Sequence, residues 1–233
     1  MQSVQFRNEA SSQDKAQRTK ALLMDAAIAV FAKRGVEGAS VAEITNHANV
    51  ANGTFYYHYK DKKEFVDALG HAVATMFVNR VDESMEELTD GAERVATATQ
   101  QFIYLAAADA AWGWMIVHAV TDLGEFSASI SRGIRKDVAL GIQQGYFKMD
   151  PTDIAFGILL SVVGAGLKAR LENPAMEGIE MLTSECVLRM LGLAPERARA
   201  LVSRTAARIA KSNPEIAVVR GKRRRAARSI NKR

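Results

Sequence analysis

The chain has 233 residues, of which 48% are hydrophobic and only 4 are proline, and its formal net charge is +5. Eight basic residues and no acidic ones lie in residues 220–233, so the +5 becomes −3 over residues 1–219. The global charge therefore gives no reason to expect nucleic-acid binding, which has to be argued from a local site. A single cysteine, Cys186, excludes an intramolecular disulfide framework.

The composition favours an all-helical protein. Helix formers such as Ala, Leu, Glu and Arg are abundant, and strand-length clusters of β-branched or aromatic residues are scarce. No hydrophobic run follows the first basic residues, so we expect no signal peptide. The longest apolar run, residues 154–167, is shorter than the ~20 residues that a membrane span needs. We therefore expect a soluble, cytoplasmic protein with no membrane partner.

The first two helices are marked by their ends. Helical periodicity predicts a helix over residues 14–34, and Gly35 follows it as a left-handed C-cap. Ser40 and Glu43 have the spacing of a capping box and predict the start of a short second helix. Asn49 then stands where the chain has to turn, and Asn is a residue type that tolerates a left-handed conformation.

A longer helix opens the remainder of the chain. Asp61 and Glu64 form a second capping-box-like start, and the apolar stripe behind them predicts a helix that continues to Gly91. Further helices are predicted over residues 92–108, 110–121, 124–145, 151–171, 175–192 and 195–211. We expect two domains and a basic, disordered tail, with bounds of 14–70, 71–212 and 213–233.

Residues 40–59 have the pattern of a helix-turn-helix. Apolar residues are spaced to pack the second helix against a third, predicted over residues 51–57: Val41, Ile44, Ala48 and Val50. In such a motif the second of the two helices enters the DNA major groove. This helix begins with small or polar residues and ends with side chains suited to phosphate oxygens: Asn52, Gly53, Thr54, Tyr56, Tyr57 and His58. The alternative is a tyrosine-rich hairpin core beside a solvated lysine face.

Residues 20–65 resemble the DNA-binding domain of the TetR (tetracycline-repressor-like) family. The resemblance is carried by AAIAVFAKRGVEGASVAEITNHANVANGTFYYHYKDKKEF, including its GTFY step and Tyr59 followed by Lys62. The remaining residues match only in being helical, as expected of the variable ligand domain of this family. The resemblance implies the following DNA contacts: Asn52, Gly53 and Thr54 to base edges or nearby phosphates, Tyr56, Tyr57, His58 and Lys62 to phosphates, and Ser40 to a phosphate while it caps the second helix.

Two positions depart from the family pattern. Asn49 stands where glycine is usual, which the turn can tolerate. Ala51 stands where Ser or Thr often caps the DNA-reading helix, so that cap is lost or replaced. The implied function is a ligand-responsive DNA-binding transcriptional regulator, more commonly a repressor in this family. It would bind a palindromic double-stranded operator and be released by a small-molecule inducer.

A palindromic operator requires a homodimer, because one helix-turn-helix reads one half-site. The expected dimer surface lies on helices 151–171 and 175–192, which the resemblance places in a four-helix bundle with their mates. The first helix offers a small-residue face and the second an apolar seam: Gly157, Ser161 and Gly164, then Ile179, Leu182, Cys186, Met190 and Leu193. The alternative is ordinary packing within one chain.

The resemblance also implies an inducer pocket within residues 70–170. The residues expected to line it are Phe102, Trp112, Met115, His118 and Phe126. Ligand pockets are mostly apolar with a few polar groups, so we expect an apolar or amphipathic small molecule. The alternative is that these side chains are ordinary core residues.

Other classes of function receive less support. The four histidines and the cysteine show no metal-ligand spacing, and no nucleophile-elbow, phosphate-loop or zinc-protease motif is present. We therefore expect no enzyme activity, no metal and no cofactor. The alternative function is a non-specific nucleic-acid or polyanion binder that acts through basic runs of the tail such as residues 222–225. A solvated tail without a function is the simpler interpretation of the same residues.

Overall fold

The computed structural model describes residues 6, 14–108, 110, 113–114, 116–117 and 126–212, without the side chains of residues 32, 74 and 126–132. These residues form helices, turns and connecting segments and contain no β-strand, so the all-helical prediction is confirmed. The helices are α1 (Lys15–Gly38), α2 (Val41–Ala48), α3 (Asn52–His58), α4 (Lys62–Glu83), α5 (Gly91–Ala106), α6 (Phe126–Gln143), α7 (Asp153–Glu172), α8 (Ile179–Met190) and α9 (Pro195–Ser212).

The chain divides into two compact units, Met1–Val73 and Ala74–Arg233, and the division falls within α4. In the first unit, apolar side chains from α1, α2, α3 and the first half of α4 form a buried core: Leu23, Ala27, Phe31, Ile44, Phe55, Phe65 and Leu69. Helices as short as α2 and α3 are unstable alone in water, so this core is what holds them in place.

The backbone of α1 changes direction at Gly35, where φ is 72° and ψ is 167°. A side chain would strain this conformation, which is why glycine stands here. The predicted positive φ is confirmed, but ψ is extended rather than left-handed helical. As a result, helical residues resume after Gly35 and continue to Gly38, beyond the predicted end at Arg34.

The helix α4 ends at Glu83, so the predicted continuation to Gly91 is wrong. The residues that follow it form turns. The Arg94 guanidinium donates hydrogen bonds to the carbonyl oxygens of Met85, at 2.6 Å, and Leu88, at 3.4 Å. The Met85 carbonyl oxygen also accepts from the backbone N–H of Leu88 at 2.9 Å, a turn bond rather than a helical one. The apolar periodicity therefore continues through residues that are no longer helical.

In the second unit, α5 packs against α6, α7, α8 and α9. Buried polar side chains connect α5 to two of these neighbours. The Gln100 amide donates to the Thr205 hydroxyl on α9 at 2.6 Å, and the Ser184 hydroxyl on α8 donates to the carbonyl oxygen of Ala96 at 3.2 Å. Such satisfied buried groups specify how the helices are aligned.

The helices α7 and α8 approach each other closely at Gly166. A Cβ atom added there would lie 2.2 Å from the Thr183 hydroxyl oxygen. Of the predicted small-residue face at Gly157, Ser161 and Gly164, only part is open to a contact outside the chain. Gly164 is buried, whereas Ser161 is exposed and the space beside Gly157 is open.

The predicted seam on α8 also divides in two. Ile179 and Leu193 are buried within the chain, whereas Leu182, Cys186 and Met190 are exposed. The prediction that all five residues share one outward seam is wrong, because Ile179 lies on the inner face of α8 and Leu193 comes after the helix has ended. Only the three exposed residues remain available for a contact outside the chain.

The helix α7 is long and apolar enough, by length and composition, to cross a membrane. It has 20 residues and a mean hydropathy of 1.7 in its most apolar window, 44% of which is buried inside the protein. Among the described helices no other passes this test. A core helix of a soluble protein has the same properties, so the finding is weak evidence for a membrane span.

Candidate nucleic-acid interface and ligand cavity

The helix α2 begins with a complete capping box. The Ser40 hydroxyl accepts a hydrogen bond from the backbone N–H of Glu43 at 3.2 Å, and the Glu43 carboxylate accepts one from the backbone N–H of Ser40 at 2.9 Å. The Ser40 hydroxyl also donates to the Glu43 carboxylate at 2.9 Å, and the two bonds donated by Ser40, with the nearby Arg34, lower the pKa of Glu43. The predicted capping box is confirmed, and Ser40 is held by it at the exposed start of the helix.

Asn49 makes the turn between α2 and α3. Its φ of 55° and ψ of 46° are left-handed helical, as predicted, and it is the one non-glycine residue with a positive φ in the described part of the chain. The following amide, that of Val50, donates back to the carbonyl oxygen of Thr45 at 3.0 Å. This tight exit allows α3 to begin only three residues after Asn49.

The first turn of α3 lacks a side-chain cap, since Ala51 has no group that could accept a hydrogen bond. A different contact fixes this end of the helix. The Thr45 hydroxyl on α2 donates to the side-chain oxygen of Asn52 at 3.2 Å. Asn52 therefore contributes to the packing of the two helices, while its amide nitrogen keeps both N–H donors for another partner. Beside it, Gly53 is exposed, and a Cβ added there would meet nothing within 4 Å.

The aromatic residues of α3 and its flank separate into a buried and an exposed set. Phe55 is fully buried and packs edge-on against Phe65, with ring centroids 5.1 Å apart. In contrast, Tyr56 is 55% exposed and Tyr57 is 82% exposed. The tyrosines of α3 are thus on its outer surface, and the alternative of a tyrosine-rich core does not describe them.

Tyr59 belongs to the buried set. Burial raises its pKa to about 12, with a further contribution from Glu64, and its hydroxyl has no hydrogen-bond partner among the described residues. The Lys20 ammonium lies 5.8 Å from the centre of the Tyr59 ring. These contacts make Tyr59 a packing residue that connects α3 to α1 rather than part of the exposed surface.

His58 is half-buried between the rings of Tyr57 and Tyr59, whose centroids lie 5.0 and 6.4 Å from its own. Burial lowers its pKa, and the nearby charge of Lys20 lowers it further. At pH 7 the imidazole is therefore mostly uncharged. In this form it can offer one N–H donor to a phosphate.

Lys62 is the first residue of α4, and its side chain reaches back towards α1. The ammonium donates to the carbonyl oxygen of Glu37 at 3.3 Å, which leaves further N–H donors on the same group. The start of the helix is fixed by Asp61, whose carboxylate accepts from the backbone N–H of Glu64 at 2.8 Å. The Glu64 carboxylate accepts from the backbone N–H of Lys60 rather than from that of Asp61. Lys62 is thus half-buried in a defined position.

The second unit contains a cavity of about 670 Å³, which includes its opening to solvent. Most of its lining is apolar and comes from α4, α5 and α7, including Val78, Val81, Val95, Phe102, Leu160 and Val163. Of the residues predicted to line a pocket, Phe102 does so. Trp112, Met115 and His118 lie outside the described residues, and the side chain of Phe126 does as well.

A buried ion cluster forms one corner of this cavity. The Arg94 guanidinium donates to the carboxylates of Asp137 and Asp82, each at 2.5 Å. Arg94 and Asp137 are buried, whereas Asp82 is half-buried. Sequence reasoning missed these residues, because bonded partners that lie 43 and 12 positions apart have no periodic signal in the sequence.

The electrostatics of the cluster follow from burial and pairing. Burial raises the pKa of Asp137, although the hydrogen bond and charge of Arg94 oppose this effect. Burial also acts to lower the pKa of Arg94, but Asp137 and Asp82 outweigh it and the pKa is raised. Arg94 is therefore always a cation here. Within the described residues, no group of three or more His, Cys, Asp and Glu side chains could hold a metal ion.

Family models match most of the chain. The model described as bacterial regulatory proteins, tetR family, matches residues 23–69, and the tetracyclin repressor-like C-terminal domain matches residues 90–204. The first match contains α2, α3 and the start of α4, and the second begins just before α5 and ends within α9. The exposed tyrosines lie within the first match, and Arg94 and Asp137 within the second.

Curated relatives are similar to this chain to different extents. The fatty acid metabolism regulator protein of Bacillus subtilis is 25% identical over 156 residues, which are 67% of this chain and 76% of that protein. The HTH-type transcriptional regulator TtgR of Pseudomonas putida is 40% identical over 58 residues, which are 25% of this chain and 28% of that protein.

Solved structures share the fold. RolR in complex with resorcinol has a TM-score of 0.69 and 25% sequence identity, and the match covers 82% of this chain and 95% of RolR. FadR from Bacillus subtilis in complex with stearoyl-CoA has a TM-score of 0.53 and 21% identity, covering 73% of this chain and 97% of FadR. At this lower identity the likeness to FadR shows the fold alone.

Proposed function

Because the chain belongs to the TetR family and is a DNA-binding transcriptional regulator, we propose that it is a repressor, which binds a palindromic operator as a homodimer and is released by a small-molecule inducer. Three surfaces would share this task. The outer face of α3 would read the DNA, the outer faces of α7 and α8 would hold the dimer, and the cavity would take the inducer.

The exposed tyrosines of α3 support the DNA-binding part most directly. Tyr57 and Tyr56 are neighbours on α3 and are 82% and 55% exposed, so both aromatic side chains are available to a partner. The Tyr57 hydroxyl, with those of Tyr56 and Thr54 and the Lys62 ammonium, can donate to phosphate oxygens. The absence of a side chain at Gly53 would let the backbone of α3 approach the base edges closely.

The dimer part is supported by apolar side chains that α7 and α8 leave exposed. Ile154 and Ile158 on α7 are 78% and 51% exposed, and Leu182 and Met190 on α8 are 57% and 40% exposed. The two helices pack against each other within the chain. Burying these side chains against a second copy would remove them from water, at about 25 cal/mol per Å² of apolar area.

The inducer part is supported by the path of α4. This one helix begins at Lys62 in the first unit, and its last turns contribute Val78, Val81 and Asp82 to the cavity wall. An inducer would bind the cavity more tightly when these turns of α4 are in one position than in another. Such a ligand would shift the equilibrium between the operator-bound and free states. Because α4 is continuous, its movement would be transmitted to the residues that hold α3.

A gel-shift titration on the DNA upstream of the gene tests the proposal. We expect Tyr57→Ala and Lys62→Ala each to weaken binding by about tenfold, as loss of a charged or polar contact does. Lys63→Ala is the matched control, because Lys63 pairs with Asp67 at 2.9 Å on the same turn. If both test variants bind as well as the wild type, α3 is not the DNA-reading helix.

The inducer step has its own test, with resorcinol as the first trial compound because RolR binds it. We expect a compound that fills the cavity to release the protein from DNA. Ala98→Phe places a large ring in the cavity wall and should abolish that release while DNA binding persists. Release that is unchanged in Ala98→Phe would show that the inducer acts elsewhere.

A further inference from the structure

The ion cluster gives the cavity a polar corner with an unusual composition. Among the described lining residues the polar side chains are Asp82, Asp137 and Thr99. The Thr99 hydroxyl already donates to the carbonyl oxygen of Val95 at 2.9 Å. The Arg94 N–H groups are directed at the two carboxylates and at backbone carbonyl oxygens. The corner therefore presents hydrogen-bond acceptors to the cavity and hardly any donors.

One acceptor in this corner is without a donor. The Asp137 side chain is 4% exposed, and its Oδ1 atom accepts from Arg94. Its second oxygen, Oδ2, has no hydrogen-bond donor among the described residues. Asp137 lines the cavity, so a ligand that supplies a donor at Oδ2 would form a charge-assisted hydrogen bond there.

The charges around the corner already balance. Two cations, Arg94 and Lys136, face two anions, Asp82 and Asp137, and the Lys136 ammonium lies 4.0 Å from the Asp82 carboxylate. An uncharged ligand leaves this balance intact. A ligand carboxylate would add a third anion, and among the described residues at this corner both cations are already paired.

We propose that the cavity takes a compact, uncharged, apolar molecule that carries a hydroxyl group, such as a phenol or an alcohol, and that the hydroxyl donates to Asp137. The apolar body of the ligand would fill the space beside Val78, Phe102 and Leu160. The proposal rests on the proposed function only in that this cavity is the inducer site. In this proposal Asp137 is the residue that makes the cavity bind uncharged ligands in preference to anionic ones.

Three probes of matched shape test the chemistry on the full chain: 4-ethylphenol, ethylbenzene and 4-ethylbenzoate. Affinities are measured by ligand-observed NMR titration without DNA. We expect 4-ethylphenol to bind at least about tenfold more tightly than either of the others, as a hydrogen bond to a charged acceptor provides. Ala98→Phe should weaken binding of 4-ethylphenol and ethylbenzene alike, which would locate both in this cavity.

Two isosteric variants test the residue. Asp137→Asn should lose the preference for 4-ethylphenol over ethylbenzene and leave ethylbenzene binding unchanged. Asp82→Asn is the matched control, because it also removes one carboxylate partner of Arg94, and it should keep the preference. Circular dichroism establishes whether each variant is folded. If Asp137→Asn does not fold, the three-probe series on the wild type tests the ligand class alone.

The outcomes separate this proposal from the repressor function. Equal affinity for the phenol and the hydrocarbon, tighter binding of the benzoate, or a preference that survives Asp137→Asn would each overturn the ligand class. None of these results touches operator binding by α3, which is measured without any ligand. Binding of no probe at all would overturn both the ligand class and the assignment of this cavity as the inducer site.

Discussion

The two units of this chain carry their candidate sites in different ways. In the first unit, the α2–α3 surface is shaped by bonds between close neighbours, such as Ser40 with Glu43 and Val50 with Thr45. In the second unit, the polar corner of the cavity joins Arg94 to a carboxylate 43 positions away. A site of the first kind is made by residues close together in the sequence, on helices that a small core holds in place. A site of the second kind exists only after several helices have packed.

Each unit also contains side chains in an environment that is unusual for their type. The first exposes a large aromatic residue, Tyr57, and the second buries the charged pair Arg94 and Asp137. We propose that DNA covers the exposed tyrosines and that a ligand contacts the buried carboxylate. The comparison shows where to test for sites in this chain: at side chains whose environment is unusual for their type.

The largest expected effect comes from Arg94→Met, which tests whether the second unit depends on its long-range cluster. The change leaves Asp137 buried without its partner. We expect the free energy of unfolding to fall by about 3–5 kcal/mol, the usual result of breaking one side of a buried ion pair. Hydrogen exchange by mass spectrometry should show the loss in α5 and α6 but not in α2 or α3.

Arg199→Met is the matched control for this prediction. Arg199 is 57% exposed and pairs with Glu196 on the surface, so its loss should cost less than about 1 kcal/mol. Equal destabilisation by the two variants would mean that the buried cluster has no special role. Faster hydrogen exchange in α2 after Arg94→Met would contradict the expectation that the effect is confined to the second unit.

A smaller effect is expected from Gly166→Ala, which tests the packing of α7 against α8. The added methyl group meets the Thr183 side chain at 2.2 Å, so we expect a loss of about 1–3 kcal/mol from overpacking. The double variant Gly166→Ala, Thr183→Ala makes room for the methyl group. In urea unfolding it should recover much of the stability that the single variant loses, and no recovery would contradict the close approach.

Ser40→Ala tests the first unit through its local cap. Loss of an N-cap costs about 1 kcal/mol, and faster hydrogen exchange should be confined to α2 and its immediate contacts. The effect should also depend on pH. Ser40 lowers the pKa of Glu43 in the folded protein, so the stability from this contact is present above pH 4.5 and is lost as the pH falls through the folded value.

Thermal melts of the wild type and Ser40→Ala at a series of pH values measure this dependence. The difference in Tm between the two proteins should be largest near neutral pH and should narrow below pH 4.5. Ser40→Ala keeps the backbone N–H bond to Glu43 and removes the hydroxyl, so a difference that is constant from pH 6 to about pH 3 would show that the bond from the Ser40 hydroxyl to the Glu43 carboxylate contributes nothing.

The smallest expected effect is that of deleting residues 213–233, which lie outside the described residues. The deletion removes eight basic residues that would attract phosphates without reading sequence. We expect operator affinity to fall a few-fold at low salt, with a shallower salt dependence and unchanged sequence preference. Loss of sequence-specific binding in a folded truncated protein would show that the tail, and not α3, is the DNA-binding site.

The sequence alone predicted most of the first unit, because its signals are local. The capping box at Ser40 and the left-handed Asn49 each follow from residue types a few positions apart, and both are confirmed. What sequence reasoning could not predict depends on distant contacts. The turns after the end of α4 at Glu83 are bonded by Arg94 of the next helix, and the division of the α8 seam depends on which face packs inside the chain.

A binding selection from random duplex DNA, with sequencing of the bound pool, tests the DNA-reading role of α3 most directly. The account predicts a two-fold symmetric site, changed preference at a few half-site positions for Thr54→Ala, and weaker binding with unchanged preference for Tyr57→Phe. It is contradicted if the selected site has no symmetry, or if its base preferences are the same for the wild type and Thr54→Ala.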